Sequence, residues 1–203
     1  MVNRAVYFGS LLLAILLSDC HKPCNLPNYS FLVNETFSPE KDSIHIGDTL
    51  WLTCTIPETL KDINSQNEID FSQAEDLASD LVISDISKFD SERGAVDSFN
   101  YTQIQGSIHT DQSADPQGVK QLSFEENSNS YLLQVGLIAK KAGAYIMTMP
   151  DNPHVYRKGM PNCGTANFQF LNGNTKQHLY LFENIWGQLS NYDSTHSYCF
   201  KVY

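Results

Sequence analysis

Residues 44–56 read Ile44-His45-Ile46-Gly47-Asp48-Thr49-Leu50-Trp51-Leu52-Thr53-Cys54-Thr55-Ile56. Ile44, Ile46, Leu50, Leu52, Cys54 and Ile56 all fall on even positions, and Gly47-Asp48 interrupts the run as a turn. Successive side chains of a strand point to opposite faces, so period two with one apolar face marks a half-buried strand. Tyr131, Leu133, Val135 and Leu137 repeat the pattern. Two such runs in one chain point to a mainly β fold.

Working outward, further strands are expected at Tyr29–Val33, Leu81–Ile86, Phe99–Ile108, Leu122–Phe124, Tyr145–Met149 and Tyr198–Tyr203. The runs at 131–137 and 145–149 flank a turn at Lys140–Gly143. They read as a hairpin-like pair or, in a sandwich, as strands of two different sheets. One or two short helices interrupt the strands. Ser72-Gln73-Ala74-Glu75 fits a capping box and predicts a helix to about Ser79. Asn174 or Thr175 is placed to cap a helix to Trp186, with Gly187 just past its end. His178, Leu181, Phe182 and Ile185 would share one face of it. Residues 110–118 and 150–164, rich in Pro and Gly, read as loops.

Two segments resemble immunoglobulin-like domains. Gly47-Asp48-Thr49-Leu50-Trp51-Leu52-Thr53-Cys54 is similar to the second strand of that family. Lys141-Ala142-Gly143-Ala144-Tyr145-Ile146-Met147 is similar to its Asp-x-Gly/Ala-x-Tyr-x-Cys segment, with Lys141 in place of the acid and Met147 in place of the cysteine. The resemblance implies a β-sandwich with Tyr145 as a structural tyrosine corner. Met147 excludes the usual inter-sheet disulfide from Cys54 at that position. The stretch between Cys54 and Tyr145 is longer than in a standard domain, which implies insertions, and the tryptophan of the third strand is missing.

The N-terminal stretch Met1–Cys20 carries Arg4, an apolar run from Ala5 to Leu17 broken only by Gly9 and Ser10, then Ser18-Asp19-Cys20. A cationic start followed by a short apolar run is the anatomy of an export signal, and the run is shorter than the ~20 residues that span a bilayer. Leu16-Leu17-Ser18-Asp19-Cys20 resembles the lipobox of bacterial lipoprotein precursors, with Asp19 where that family prefers a small residue. The resemblance implies cleavage before Cys20 and acylation of its thiol, hence a cell-envelope protein held to a membrane, periplasmic or outer, by lipid on Cys20. Two or three acyl chains hold a protein persistently, where one holds it only marginally. The alternative is that Cys20 is the first cysteine of an exported disulfide protein. The expected organisation is a signal at 1–19, a lipidated tether at 20–28 and one globular domain at 29–203.

Lys and Arg number 13 against 23 Asp and Glu, a net charge of −10. That balance excludes nucleic acid, whose phosphates require clustered cations, and a polybasic membrane face. The most acidic part, 58–97, lacks the spacing of a calcium loop and reads as a solvated face. With Cys20 assigned to lipid, four of the five cysteines remain. An even count in an exported chain implies disulfides, with three possible pairings. Cys163–Cys199 is the first choice and Cys24–Cys54 the remainder. No close second pair completes a zinc set with Cys20-x-x-x-Cys24.

His21, His45, His109, His154, His178 and His196 fall in no metal-binding spacing, and no nucleophile elbow, P-loop or dinucleotide fingerprint is present. No catalytic residue, metal or cofactor is therefore expected. Trp51, Tyr156 and Trp186 are candidates for stacking on a ligand, against the commoner role as partly buried core. The expectation is a non-enzymatic binding or scaffolding sandwich with an envelope protein or glycan as partner. The alternative is an exported glycan hydrolase with two loop carboxylates about 5–10 Å apart.

Overall fold

The computed structural model describes residues 28–87, 93–109, 119–158, 165–187 and 194–203. In chain order the strands are β1 (Tyr29–Ser38), β2 (Ser43–Ile44), β3 (Thr49–Pro57), β4 (Thr59–Lys61), β5 (Glu68–Asp70), β6 (Ala74–Glu75) and β7 (Ala78–Asp85). There follow β8 (Arg93–Gly94), β9 (Phe99–Gln105), β10 (Ser107–His109), β11 (Val119–Ser123), β12 (Glu125–Asn127) and β13 (Ser130–Ala139). The last are β14 (Gly143–Thr148), β15 (Asn152–Arg157), β16 (Ala166–Asn172) and β17 (Ser197–Val202), with one α-helix among the described residues, α1 (Tyr180–Trp186), between β16 and β17.

The first sheet has the order β12-β13-β3-β1-β16-β15-β6, with β9 also paired to β13. The second has the order β10-β11-β7-β14-β17-β2, with β8 paired to β7, and β4-β5 form a small hairpin. Strand β1 lies between an antiparallel neighbour, β3, and a parallel one, β16; Glu35 stands opposite Cys54 on one side and Asn172 on the other. One apolar core fills the space between the sheets: Phe31, Val33, Leu52 and Phe168 from the first meet Leu81, Tyr145, Met147 and Phe200 from the second. The chain is a β-sandwich.

Alternation decides which residues enter that core. On β3, Leu50, Leu52, Cys54 and Ile56 point inward and are buried. Phe31, Phe71 and Phe168 pack within 5.2–5.5 Å of one another, ring centre to ring centre. Each such side chain contributes roughly 1.5–3 kcal/mol by leaving water, and each aromatic pair about 0.5–1.5 kcal/mol more. On the outer face of the second sheet, Leu181 and Phe182 of α1 cover Ile86, Ala144, Ile146 and Cys199.

The turn at Gly47-Asp48 crosses between sheets, because β2 belongs to the second sheet and β3 to the first. Ile46, on the same parity as its apolar neighbours, is therefore exposed. Strands β13 and β14 also belong to different sheets, the second of the two readings of that pair. The expected strand at 99–108 is broken at Gly106, where φ is +73° and a Cβ would lie 2.6 Å from the Ser123 carbonyl oxygen. Only glycine lets the chain pass there from the first sheet to the second.

Three expectations are corrected. The helix predicted over 72–79 is absent: β6 and the start of β7 occupy it. Gln73 and Asp76 adopt φ of +57° and +59°, which no helix tolerates, and the Gln73 and Ala74 amides donate to Glu126 and to the Tyr131 hydroxyl. The C-terminal helix ends at Gly187 as expected but starts at Tyr180. Asn174 does not cap it; its side chain bonds both backbone groups of Phe37 at 2.6 and 2.7 Å. His178 precedes the helix at φ +55°. The loop expected at 150–164 contains β15, which pairs with β16; residues 159–164 lie outside the described residues.

Candidate binding groove

A half-open groove of about 500 Å³ lies where the two sheets part, between β15 and β6 on one side and β7 and β11 on the other. Its walls are held by three side chains. The Tyr131 hydroxyl accepts from the Ala74 amide at 2.8 Å and donates to the Phe71 carbonyl at 2.9 Å. Burial, followed by the charges of Glu126 and Glu58, raises this phenol to about 12, so it stays neutral. Glu126 accepts from the Gln73 amide at 3.0 Å. Asn152 donates to the Ala78 carbonyl at 2.8 Å and accepts from the His154 amide at 3.1 Å, tying β15 to β7 across the seam.

Asp76, Gln121, Ser123 and His154 also line the groove, and none of their side chains hydrogen-bonds to another described residue. Phe124 forms an apolar wall, backed by Phe170 at 5.8 Å. A second hollow of about 190 Å³ continues past Ala78, Gln121 and Asn152 toward Asp80 and Asp151. Gln73 and Asp76, two of the four non-glycine residues with positive φ among the described residues, flank β6 at the rim. Backbone strain of this kind concentrates at functional sites. The groove thus offers a carboxylate, an amide, a hydroxyl and an imidazole beside an apolar wall. It has the means to hold a polar ligand by hydrogen bonds.

The site residues expected from sequence that the structure describes lie elsewhere. Cys20, Cys24 and Cys163 are outside the described residues. Cys54 and Cys199 are free, buried thiols, against the expected Cys24–Cys54 and Cys163–Cys199 disulfides. Cys54 points between the sheets, where its thiol donates to the Asn34 carbonyl at 3.5 Å; Cys199 faces the opposite way, beneath α1. Burial raises both thiols, that of Cys54 further because of Glu35 and that of Cys199 to about 12. Tyr145 is fully buried, and its hydroxyl donates to the Lys141 carbonyl at 3.1 Å. Its ring lies edge-on to Phe99 at 5.0 Å. Trp51, Tyr156 and Trp186 are half-buried. Trp186 stacks on Phe182 and donates to the Ile86 carbonyl, so it serves packing. No group of three metal-ligating side chains occurs among the described residues.

The sequence singles out no groove residue as a ligand contact, although Asn152 and His154 fall within the 150–164 stretch read as a loop. Asp76, Gln121 and His154 come from segments far apart in the chain, and only the left-handed backbone beside β6 marks the place.

No family model matches the chain, and no curated protein matches it. Among solved structures, it is similar to the human F-spondin reeler domain at 10% identity and a TM-score of 0.37, covering 88% of this chain and 94% of that one. It is also similar to the second type II cohesin module of the adaptor ScaA scaffoldin of Acetivibrio cellulolyticus, at 13% identity and a TM-score of 0.28, covering 68% and 79%. The assignment to the β-sandwich rests on the two sheets themselves.

Proposed function

We propose that this chain is a lipid-anchored cell-envelope protein whose β-sandwich binds a polar, uncharged ligand, a glycan segment, in the groove between its sheets. The observation that carries the binding half is the groove itself. Tyr131, Glu126 and Asn152 spend their hydrogen bonds on holding its walls. Asp76, Gln121, Ser123 and His154 line it with theirs unspent. A sugar offers hydroxyls that both donate and accept, which suits a mixed set of carboxylate, amide, hydroxyl and imidazole. The acidic net charge of −10 disfavours anionic ligands.

The anchoring half rests on the lipobox-like residues Leu16–Cys20. Its test is mass spectrometry of the mature N-terminus together with palmitate labelling of the wild type and Cys20→Ala. An acylated Cys20 and loss of label in the variant are expected; equal labelling of both removes the anchor.

The binding half is tested by titrating soluble envelope oligosaccharides into the wild type and a Gln121→Ala/Ser123→Ala variant. Each lost hydrogen bond is expected to weaken binding by about 0.5–1.5 kcal/mol, so the pair lowers affinity by about 5- to 150-fold. Unchanged affinity would place the ligand elsewhere. Glycan hydrolysis has in its favour that Asp76 and Glu126 both line the groove. Against it, Glu126 is engaged by the Gln73 amide and both side chains are open to water. Release of reducing ends by the wild type but not by Asp76→Asn would favour hydrolysis over binding.

A further inference from the structure

Among the described residues, Glu35 is the one carboxylate whose position contradicts its chemistry. It sits on the inward row of β1 with Phe31, Val33 and Phe37 and is 0% exposed. Neither carboxylate oxygen has a hydrogen-bond partner. Its place is structural as well as buried, since β1 is held on one side by β3 and on the other by β16. Its own carbonyl accepts from the Gly173 amide at 2.7 Å.

The groups around it supply no counter-charge. On β3 the residue opposite is Cys54, and the rest of that strand carries no charge. On β16 the residue opposite is Asn172, and no residue of Ala166–Asn172 is charged. From the second sheet, the core is reached by Leu81 and Ile83 of β7, Tyr145 and Met147 of β14, and Tyr198, Phe200 and Val202 of β17. The titratable groups among these are the Cys54 thiol and the Tyr145 and Tyr198 phenols, neutral groups that donate instead to the backbone carbonyls of Asn34, Lys141 and Lys41.

We propose that Glu35 is a proton switch built into the sandwich: protonated, it is tolerated as a neutral core residue, and ionised, it loosens the β3–β1–β16 seam. An unpaired charge in an apolar core costs far more than a neutral carboxyl, so the proton is retained until the core admits water. Burial accordingly pushes the Glu35 carboxyl well above its ordinary range. In the unfolded chain it titrates near the ordinary value of about 4.3. Between that pH and its native midpoint, the folded state holds one more proton than the unfolded state. Stability is therefore greatest in acid and falls as pH rises through this window. The structure thus carries a means of responding to alkalinity in the medium around it.

The test compares urea midpoints of the intact chain, under reducing conditions, for the wild type, Glu35→Gln and Glu35→Met. In the titrating window, the wild-type unfolding constant is expected to rise relative to either variant by about tenfold per pH unit. A constant ratio between wild type and variants from about pH 5 to about pH 8 overturns the proposal. Infrared spectroscopy of the wild type alone provides the second measurement, independent of whether a variant folds. A protonated-carboxyl band that persists at neutral pH supports the switch; carboxylate bands only, at neutral pH in the folded protein, overturn it.

Discussion

Two acids among the described residues are hidden from solvent, Glu35 at 0% exposure and Asp62 at 3%, and they behave in opposite ways. Asp62 follows β4, and each of its oxygens has a backbone donor: Ser30 at 2.8 Å and Ser65 at 2.7 Å. Those bonds hold its carboxyl down to about 2. It clips the 62–67 turn to the first residues of β1. Glu35, five residues further along the same strand, has no donor at all, and its carboxyl is driven up. Burial alone therefore does not set the charge state of an acid. The count of donors aimed at it does, because a charged group is stable out of water only where hydrogen bonds replace its hydration.

The largest effect is expected from a second unpartnered acid in the core. Val33→Glu puts a carboxylate on the same inward row. It is expected to destabilise by more than about 4 kcal/mol at neutral pH, read as loss of the cooperative urea transition, with partial recovery in acid. A near-wild-type midpoint would mean that the core already admits water at β1.

A smaller effect is expected at the satisfied acid. Asp62→Asn keeps the shape but turns one acceptor into a donor facing an amide donor. It should lower the thermal midpoint at pH 6. The native Asp62 contribution is fully present above the unfolded carboxyl value of about 3.9 and is lost as pH falls through the native value. The two midpoints should therefore converge toward pH 2, a direction opposite to that of Glu35. Parallel curves would show that the clip does not depend on charge.

The smallest effect belongs to the other face of the same strand. Leu32 is 52% exposed, one residue from Val33. Leu32→Glu should change stability by no more than about 0.5 kcal/mol, measured by the same urea titration at neutral pH. A large loss would mean that the outer face of β1 is covered.

The contrast between the acids also shows how far the sequence could be read. The Ser65 contact is local, three residues from Asp62, but reading 58–97 as a solvated acidic face missed it, because the second donor comes from Ser30, 32 residues away. The first strand was expected to end at Val33, where Asn34 and Glu35 break the apolar series; it runs to Ser38 because pairing with β3 and β16 carries it past the acid. The Ser72–Glu75 capping box failed for the same kind of reason. Two acceptors on distant segments, Glu126 and Tyr131, hold the backbone in a shape no helix has.

What the sequence determined by itself is the set of strands with unbroken alternation, the closing glycine of α1 and the short-range contact of Tyr145 with Lys141. These depend on period, on a positive φ and on a contact four residues long, all local quantities. Tertiary structure alone decided which sheet each strand joins, which polar side chains meet across the seam to form the groove, and that Glu35 faces inward without a partner. Those outcomes depend on which distant donors and acceptors arrive together, and no window of adjacent residues contains that information.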